Sequence, residues 1–230
     1  MAAADPAGTR GDRTRAAVTT AAAAQLAEHG LEGMRGSGVG EAAGVSEATV
    51  WFHFGTKAGL LVAVMEDYYD RLVAAVDEVV AAAHAPRARL EAFTRFWLER
   101  MTRDLALVAE FQRHGRSGHD PEVVRAFAAC NRRVTRQFER LVEDLVATGE
   151  VRSDLPTWMV RDVFFGTAEH VLVGRAVTGR STDLDAAADL LLDVVLHGVG
   201  DQTTAGRDGR DDLAAIEAKL DVLLARTDEQ

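Results

Sequence analysis

The sequence predicts an all-α fold: an N-terminal three-helix helix-turn-helix unit followed by a larger C-terminal helical domain. Three observations carry that prediction. Only 4 prolines interrupt 230 residues rich in Ala, Leu, Val, Arg and Glu, a composition that favours helix. Apolar side chains recur at three- and four-residue spacings, and no stretch alternates apolar with polar residues as a half-buried strand would. Residues that start and stop helices punctuate the chain at helix-length intervals.

Residues 1–11 read as a disordered arm. Asp12 is placed to cap a first helix over about 13–29, with Val18, Ala22 and Leu26 on one face, and Gly30 stops it. A weak second helix is expected over 36–43, ending at Gly44. Its glycines at 36, 38 and 40 each cost about 1 kcal/mol of helix propensity relative to alanine. Ser46 caps a short helix over about 47–53, and Thr56 caps a long one over about 57–83. The long helix carries Leu60, Leu61, Val64, Met65, Tyr68, Leu72 and Val76 at the helical period. Pro86 breaks the pattern, and further amphipathic helices follow at about 87–103, 104–114, 121–148, 157–178 and 183–199. "HGRSGHD", 114–120, is the clearest loop among them. The expected organisation is a helix-turn-helix unit over 12–71 and a second helical domain over 72–199. A polar linker over 200–210 and an accessory amphipathic helix over 211–226, with Leu213, Ile216, Leu220 and Leu223, complete it.

Composition narrows the setting. The single cysteine, Cys130, excludes an intramolecular disulfide framework and suits a reducing compartment. The amino-terminal residues lack the apolar core of a secretory signal, and no apolar run is long enough for a bilayer. A cytoplasmic protein with no membrane partner is expected.

The segment "EAAGVSEATVWFHFGTKAGL", 41–60, concentrates the functional signal. A tight turn at Gly44 joins two short helices, and Val39, Val45, Val50 and Phe54 are placed to bury their inner faces. The second helix presents Glu47, Ala48, Thr49, Trp51, Phe52 and His53 outward. Ser46 and Thr56 stand at helix N-termini, whose free N–H groups favour an anion such as phosphate. Spacing alone equally admits an ordinary helical hairpin in a core. Exposed aromatics beside His53 and Lys57 tilt the balance toward a DNA-facing surface.

From Thr14 to about Leu72 the chain resembles the N-terminal domain of the TetR family of bacterial transcriptional regulators. "LAEHG", "AAGVS", "VWFHF" and "TKAGLL" occur in the family's order and spacing. The resemblance implies a homodimer in which each helix-turn-helix enters one major-groove half-site of a pseudo-palindromic double-stranded DNA operator. It places phosphate contacts at Trp51, His53 and Lys57, and base contacts around Arg35, Ser37, Glu47, Ala48 and Thr49, beside the helix-capping Ser46. The segment "GEVRSDLPTWMVRDVFFGTAEHVLVG" resembles the penultimate helix that helps form the family's dimer. Trp51 stands where the family usually has tyrosine, and Phe52 where a polar residue is common.

Charge bears on this reading. The formal net charge is −10, and residues 1–60 hold Arg10, Arg13, Arg15, Arg35 and Lys57 against Asp5, Asp12, Glu28, Glu32, Glu41 and Glu47. DNA affinity depends on charge at the contact face, and Glu47 is able to accept from a cytosine amine. Weaker, more salt-sensitive binding than that of a basic regulator is expected. The rival reading is a protein of the same fold whose helix-turn-helix no longer reads DNA, favoured by the acidic balance and the glycine-rich second helix.

No other constellation points to catalysis. His114, His119 and Asp120 lack a third regularly spaced metal ligand, and Cys130 has no local partner. Neither a phosphate-binding glycine loop nor a nucleophile elbow occurs. No enzyme activity, cofactor or metal is expected. Regulators of the resembled family bind a small-molecule inducer among their C-terminal helices. That places an apolar or amphipathic ligand near Phe93, Trp97, Phe111 and Phe164, with Arg100, Arg161 and His170 available for an anionic or hydrogen-bonding group.

Overall fold

The computed structural model describes residues 9–178 and 183–198. The expected linker at 200–210 and accessory helix at 211–226 lie outside them. Among the described residues every regular element is helical: α1 (Arg10–Gly33), α2 (Gly36–Ala43), α3 (Glu47–Phe54), α4 (Lys57–Ala81), α5 (Pro86–Arg103), α6 (Leu105–Arg116), α7 (Pro121–Ala147), α8 (Thr157–Thr178) and α9 (Leu184–Asp193). A π-helical turn, Val194–Gly198, ends α9. No single helix among the described residues is long and apolar enough to cross a membrane.

The first helix departs from expectation at both ends. Thr9, not Asp12, is the N-cap: its hydroxyl accepts from the Asp12 N–H, and the Asp12 carboxylate accepts from the Thr9 N–H at 2.9 Å. This reciprocal capping box starts the helix at Arg10, inside the stretch expected to be an arm. Two hydrogen bonds from Thr9 also hold the Asp12 carboxyl below its usual range. At the other end Gly30 adopts φ 67°, breaks the helix, and is followed by one more turn to Gly33. That turn is held from a distance, since the Leu31 N–H donates to the Glu110 carboxylate of α6 at 2.8 Å.

Later caps follow local chemistry. Ser46 accepts from the Thr49 N–H, Thr56 from the Gly59 N–H, and Asp120 from the N–H groups of Glu122 and Val123. Pro86 and Pro121 occupy first-turn positions, where the missing N–H costs nothing. The helix α6 runs to Arg116, two residues past its expected end at about 114 and so into the expected loop.

One continuous apolar core runs from Val18, Leu26, Val39 and Val50 through Leu60, Met65 and Leu72 to Phe93, Phe138 and Leu191. The helix α4 crosses the expected domain boundary at 71/72 and packs on α1 and α3 as well as on α5 and α7. Gln137 of α7 reinforces that packing, donating to the Val73 carbonyl at 3.1 Å and to Asp77 at 2.7 Å. The N-terminal helix-turn-helix unit and the body are therefore joined through a shared helix rather than a linker.

Candidate nucleic-acid interface and effector cavity

The two helices α2 and α3 meet at a turn closed by Gly44 at φ 69°, a conformation that favours glycine. The Val45 N–H donates to the Gly40 carbonyl at 2.8 Å and the Gly44 N–H to the Glu41 carbonyl at 3.2 Å, a Schellman arrangement. Val39, Val50 and Phe54 are buried between the helices. Glycine in α2 has a packing role beyond the turn. A methyl group on Gly36 would stand 2.4 Å from the Trp51 ring and 2.6 Å from the Glu47 carboxylate. The face of α2 that looks weak by propensity is where α3 lies against it.

Within α3 the candidate contact residues fall into two groups. Trp51 is half-buried against Gly36, and its indole N–H donates to Glu47 at 3.1 Å. Both groups were expected to face DNA, yet they satisfy each other across one helical turn. The Thr49 hydroxyl lies 2.8 Å from that of Ser46. Ala48 and Phe52 are exposed on the outer side, Phe52 at 84% of its surface, and the His53 ring stands edge-on to Phe52 at 5.4 Å. Arg35 and Ser37 are exposed at the start of α2.

Lys57 is exposed at the first position of α4, but its ammonium donates to the carbonyls of Glu32 at 3.2 Å and Leu31 at 3.4 Å. It closes the carboxyl end of α1, where free carbonyls carry partial negative charge. Arg15 was not anticipated at this site. Its guanidinium lies 4.7 Å above the Phe54 ring and donates to the His53 carbonyl at 3.4 Å, tying α1 to the end of α3.

The second site is a cavity of about 560 Å³ enclosed by α4–α8. Trp97, Met101, Leu105, Val108, Phe127, Phe165 and Leu172 form its apolar lining, and Tyr69 stands at one wall. Burial pushes the Tyr69 phenol well above its usual range, so it remains a neutral hydrogen-bonding group. Gln112, Arg116, Asn131, Arg132, Thr135 and Arg161 supply a polar side. Arg116 pairs with Glu169 at 3.0 and 3.1 Å, and Arg161 with Glu139 at 2.7 Å and Asp162 at 2.8 Å. Arg132 has no carboxylate partner among the described residues.

Of the expected ligand residues, Trp97 lines this cavity, whereas Phe93, Phe111, Phe164 and His170 do not. Phe93 and Phe164 belong to an aromatic core with Phe138, whose ring stacks on Phe164 at 4.5 Å. Phe111 packs on the Tyr68 ring at 5.5 Å. His170 is exposed, one residue beyond the stripe of Phe165, Gly166, Glu169 and Leu172 that α8 turns to the cavity. Arg100 lies over Tyr68 and pairs with Asp104, also outside the cavity. Met101, Phe127 and Phe165, from the same large apolar set of the C-terminal helices as Phe93 and Trp97, do line it, while Arg116 and Arg132 are lining residues that this pattern did not single out.

Residues 18–64 match the family described as bacterial regulatory proteins, tetR family. The HTH-type transcriptional repressor KstR2 of Rhodococcus jostii is 26% identical over 195 residues, covering 85% of this chain and 94% of that protein. The Bacillus subtilis regulator FadR, solved with stearoyl-CoA, superposes with a TM-score of 0.69 at 16% identity, covering 80% of this chain and 98% of that one. AibR, solved with isovaleryl coenzyme A and operator DNA, does so at 0.62 and 22% identity, over 80% and 98% of the two chains.

Proposed function

From the premise that this chain is a TetR-family transcriptional regulator, we propose that it represses transcription as a homodimer bound to a pseudo-palindromic operator and is released by an acyl-CoA-type ligand. The observation that carries the DNA-binding part is the uncovered outer side of α3, presented by a closed helix-turn-helix with its N-terminal cap in place. Arg35, Ser37, Ser46, Ala48 and His53 surround that side as groups for phosphate or base contact. Glu47, Trp51 and Lys57 engage DNA in this reading only with their present partners held or exchanged.

The ligand class rests on the cavity's two-sided chemistry. An apolar lining suits an acyl group, while Arg116, Arg132 and Arg161 suit the phosphates of a coenzyme lying at the polar side. Proteins of the same fold that bind stearoyl-CoA and isovaleryl coenzyme A support the choice. For the dimer, α8 and α9 pack on each other and carry Trp158, Met159, Val163 and Leu190, each at least 40% exposed. Covering that apolar surface with a second copy removes it from water.

Selecting duplexes from a random library and titrating the winner by fluorescence anisotropy tests the reading. The expected result is a two-fold symmetric sequence bound by two chains, with long-chain acyl-CoA raising the dissociation constant at least tenfold. Failure to enrich any sequence would favour a protein-interaction role for the same fold.

A further inference from the structure

Large apolar side chains exposed among the described residues occur on α8 and α9, with one exception, Phe52 on α3. At 84% exposure its ring keeps most of its apolar surface in water, and its ring neighbours are His53 and nothing from the core. Singly exposed apolar side chains are common on protein surfaces, so what singles this one out is its place on the outer face of α3. Ala48, one turn earlier, is exposed on the same side at i, i+4 spacing.

Two hydrogen-bonding side chains of α3 are meanwhile engaged within the helix-turn-helix. The Glu47 carboxylate accepts the Trp51 indole N–H at 3.1 Å, and the Thr49 hydroxyl lies 2.8 Å from the Ser46 hydroxyl. Beside the His53 imidazole, what the reading helix holds outward is a methyl group and a phenyl ring. In the major groove the one apolar feature of a base edge is the 5-methyl group of thymine.

We propose that Phe52, with Ala48 beside it, reads thymine 5-methyl groups in each half-site, so that α3 recognises sequence chiefly by apolar contact. The inference rests on the operator-binding reading above and adds a specificity-determining residue to it. It replaces the hydrogen bond from a cytosine amine to Glu47 that the sequence suggests. Covering one methyl group is worth about a fourfold change in affinity per half-site, and about fifteenfold over two half-sites.

The test compares a library-selected duplex with the same duplex carrying uracil for thymine throughout, which removes only the methyl groups. Wild-type protein is expected to bind the uracil duplex about fifteenfold more weakly. Phe52→Ala, which leaves only the Ala48 methyl group, is expected to lose most of that difference, with an unchanged circular dichroism melt because the ring is outside the core. A wild-type protein that selects a sequence yet ignores uracil overturns the proposal. So does a Phe52→Ala protein that retains the full uracil penalty. If the library yields no preferred sequence, the operator-binding reading itself falls, an outcome distinct from either.

Discussion

At the residue scale, two glycines two positions apart have opposite requirements. A methyl group added at Gly36 meets Trp51 ring carbons at 2.4 and 2.6 Å as well as Glu47, so the indole and its hydrogen bond must shift. Overpacking of this kind costs about 1–3 kcal/mol, more than the roughly 1 kcal/mol that alanine contributes to a helix. At Gly38 the close neighbour is the terminal amide nitrogen of Gln25, the far end of a flexible side chain. We expect Gly36→Ala to lower the urea midpoint and to weaken operator binding. Gly38→Ala is expected to leave the midpoint equal or raise it, with a gain in stability of up to about 1 kcal/mol. Equal destabilisation by both would show that backbone freedom, rather than contact with α3, explains the glycines. The same contrast shows why propensity misread α2. A residue scale assigns each glycine the same penalty, while the requirement at Gly36 arises from a side chain fifteen positions away.

Among elements, α6 connects the two sites. Leu105, Val108, Ala109, Gln112 and Arg116 form its cavity stripe, and the buried Glu110 projects from another flank to the turn after Gly30. There the carboxylate accepts the Leu31 N–H at 2.8 Å, with Arg113 at 3.1 Å and His114 at 3.4 Å. Any displacement of α6 by a ligand therefore pulls on the end of α1, which packs on α2 and α4. Glu110→Ala leaves a part-buried N–H without its acceptor and is expected to cost about 1 kcal/mol in denaturant titration. Glu110→Gln keeps an acceptor oxygen and should lose less; equal losses would place the effect in the charge instead. This contact also marks a limit of sequence reading. The helices from α2 to α8 are legible to within a few residues because Ser46, Thr56, Pro86, Pro121 and Gly44 signal their ends locally. The turn at Leu31–Gly33 depends on a carboxylate 79 residues away, and no local signal announces it. The cavity is illegible for a related reason. Phe93 and Trp97 are one turn apart on α5, yet Phe138 and Phe164 enclose the first while the second faces the cavity.

For the whole molecule, the proposed operator and ligand sites lie on one continuous core, so each ligand is expected to shift the other's affinity. Two reading helices in a dimer must match successive major grooves about 34–36 Å apart. A small tilt of α4, which carries Lys57 at its DNA end and Tyr69 in the cavity wall, changes that separation. Release requires that the acyl-CoA bind the mismatched arrangement more tightly than the matched one, because equal affinity shifts nothing. A difference of about 1.4 kcal/mol gives only tenfold weaker DNA binding, so effective induction needs about 3 kcal/mol, or roughly a hundredfold. Thermodynamic linkage then requires saturating operator to weaken ligand binding by the same factor. We expect calorimetric titration of long-chain acyl-CoA to show that loss when the selected duplex is present, and none with a scrambled duplex of equal length and charge. The scrambled control matters for a chain of formal net charge −10, since adding any polyanion changes the field felt by an anionic ligand. Equal acyl-CoA affinity with and without the selected duplex would rule out that compound as the inducer, however tightly it fills the cavity.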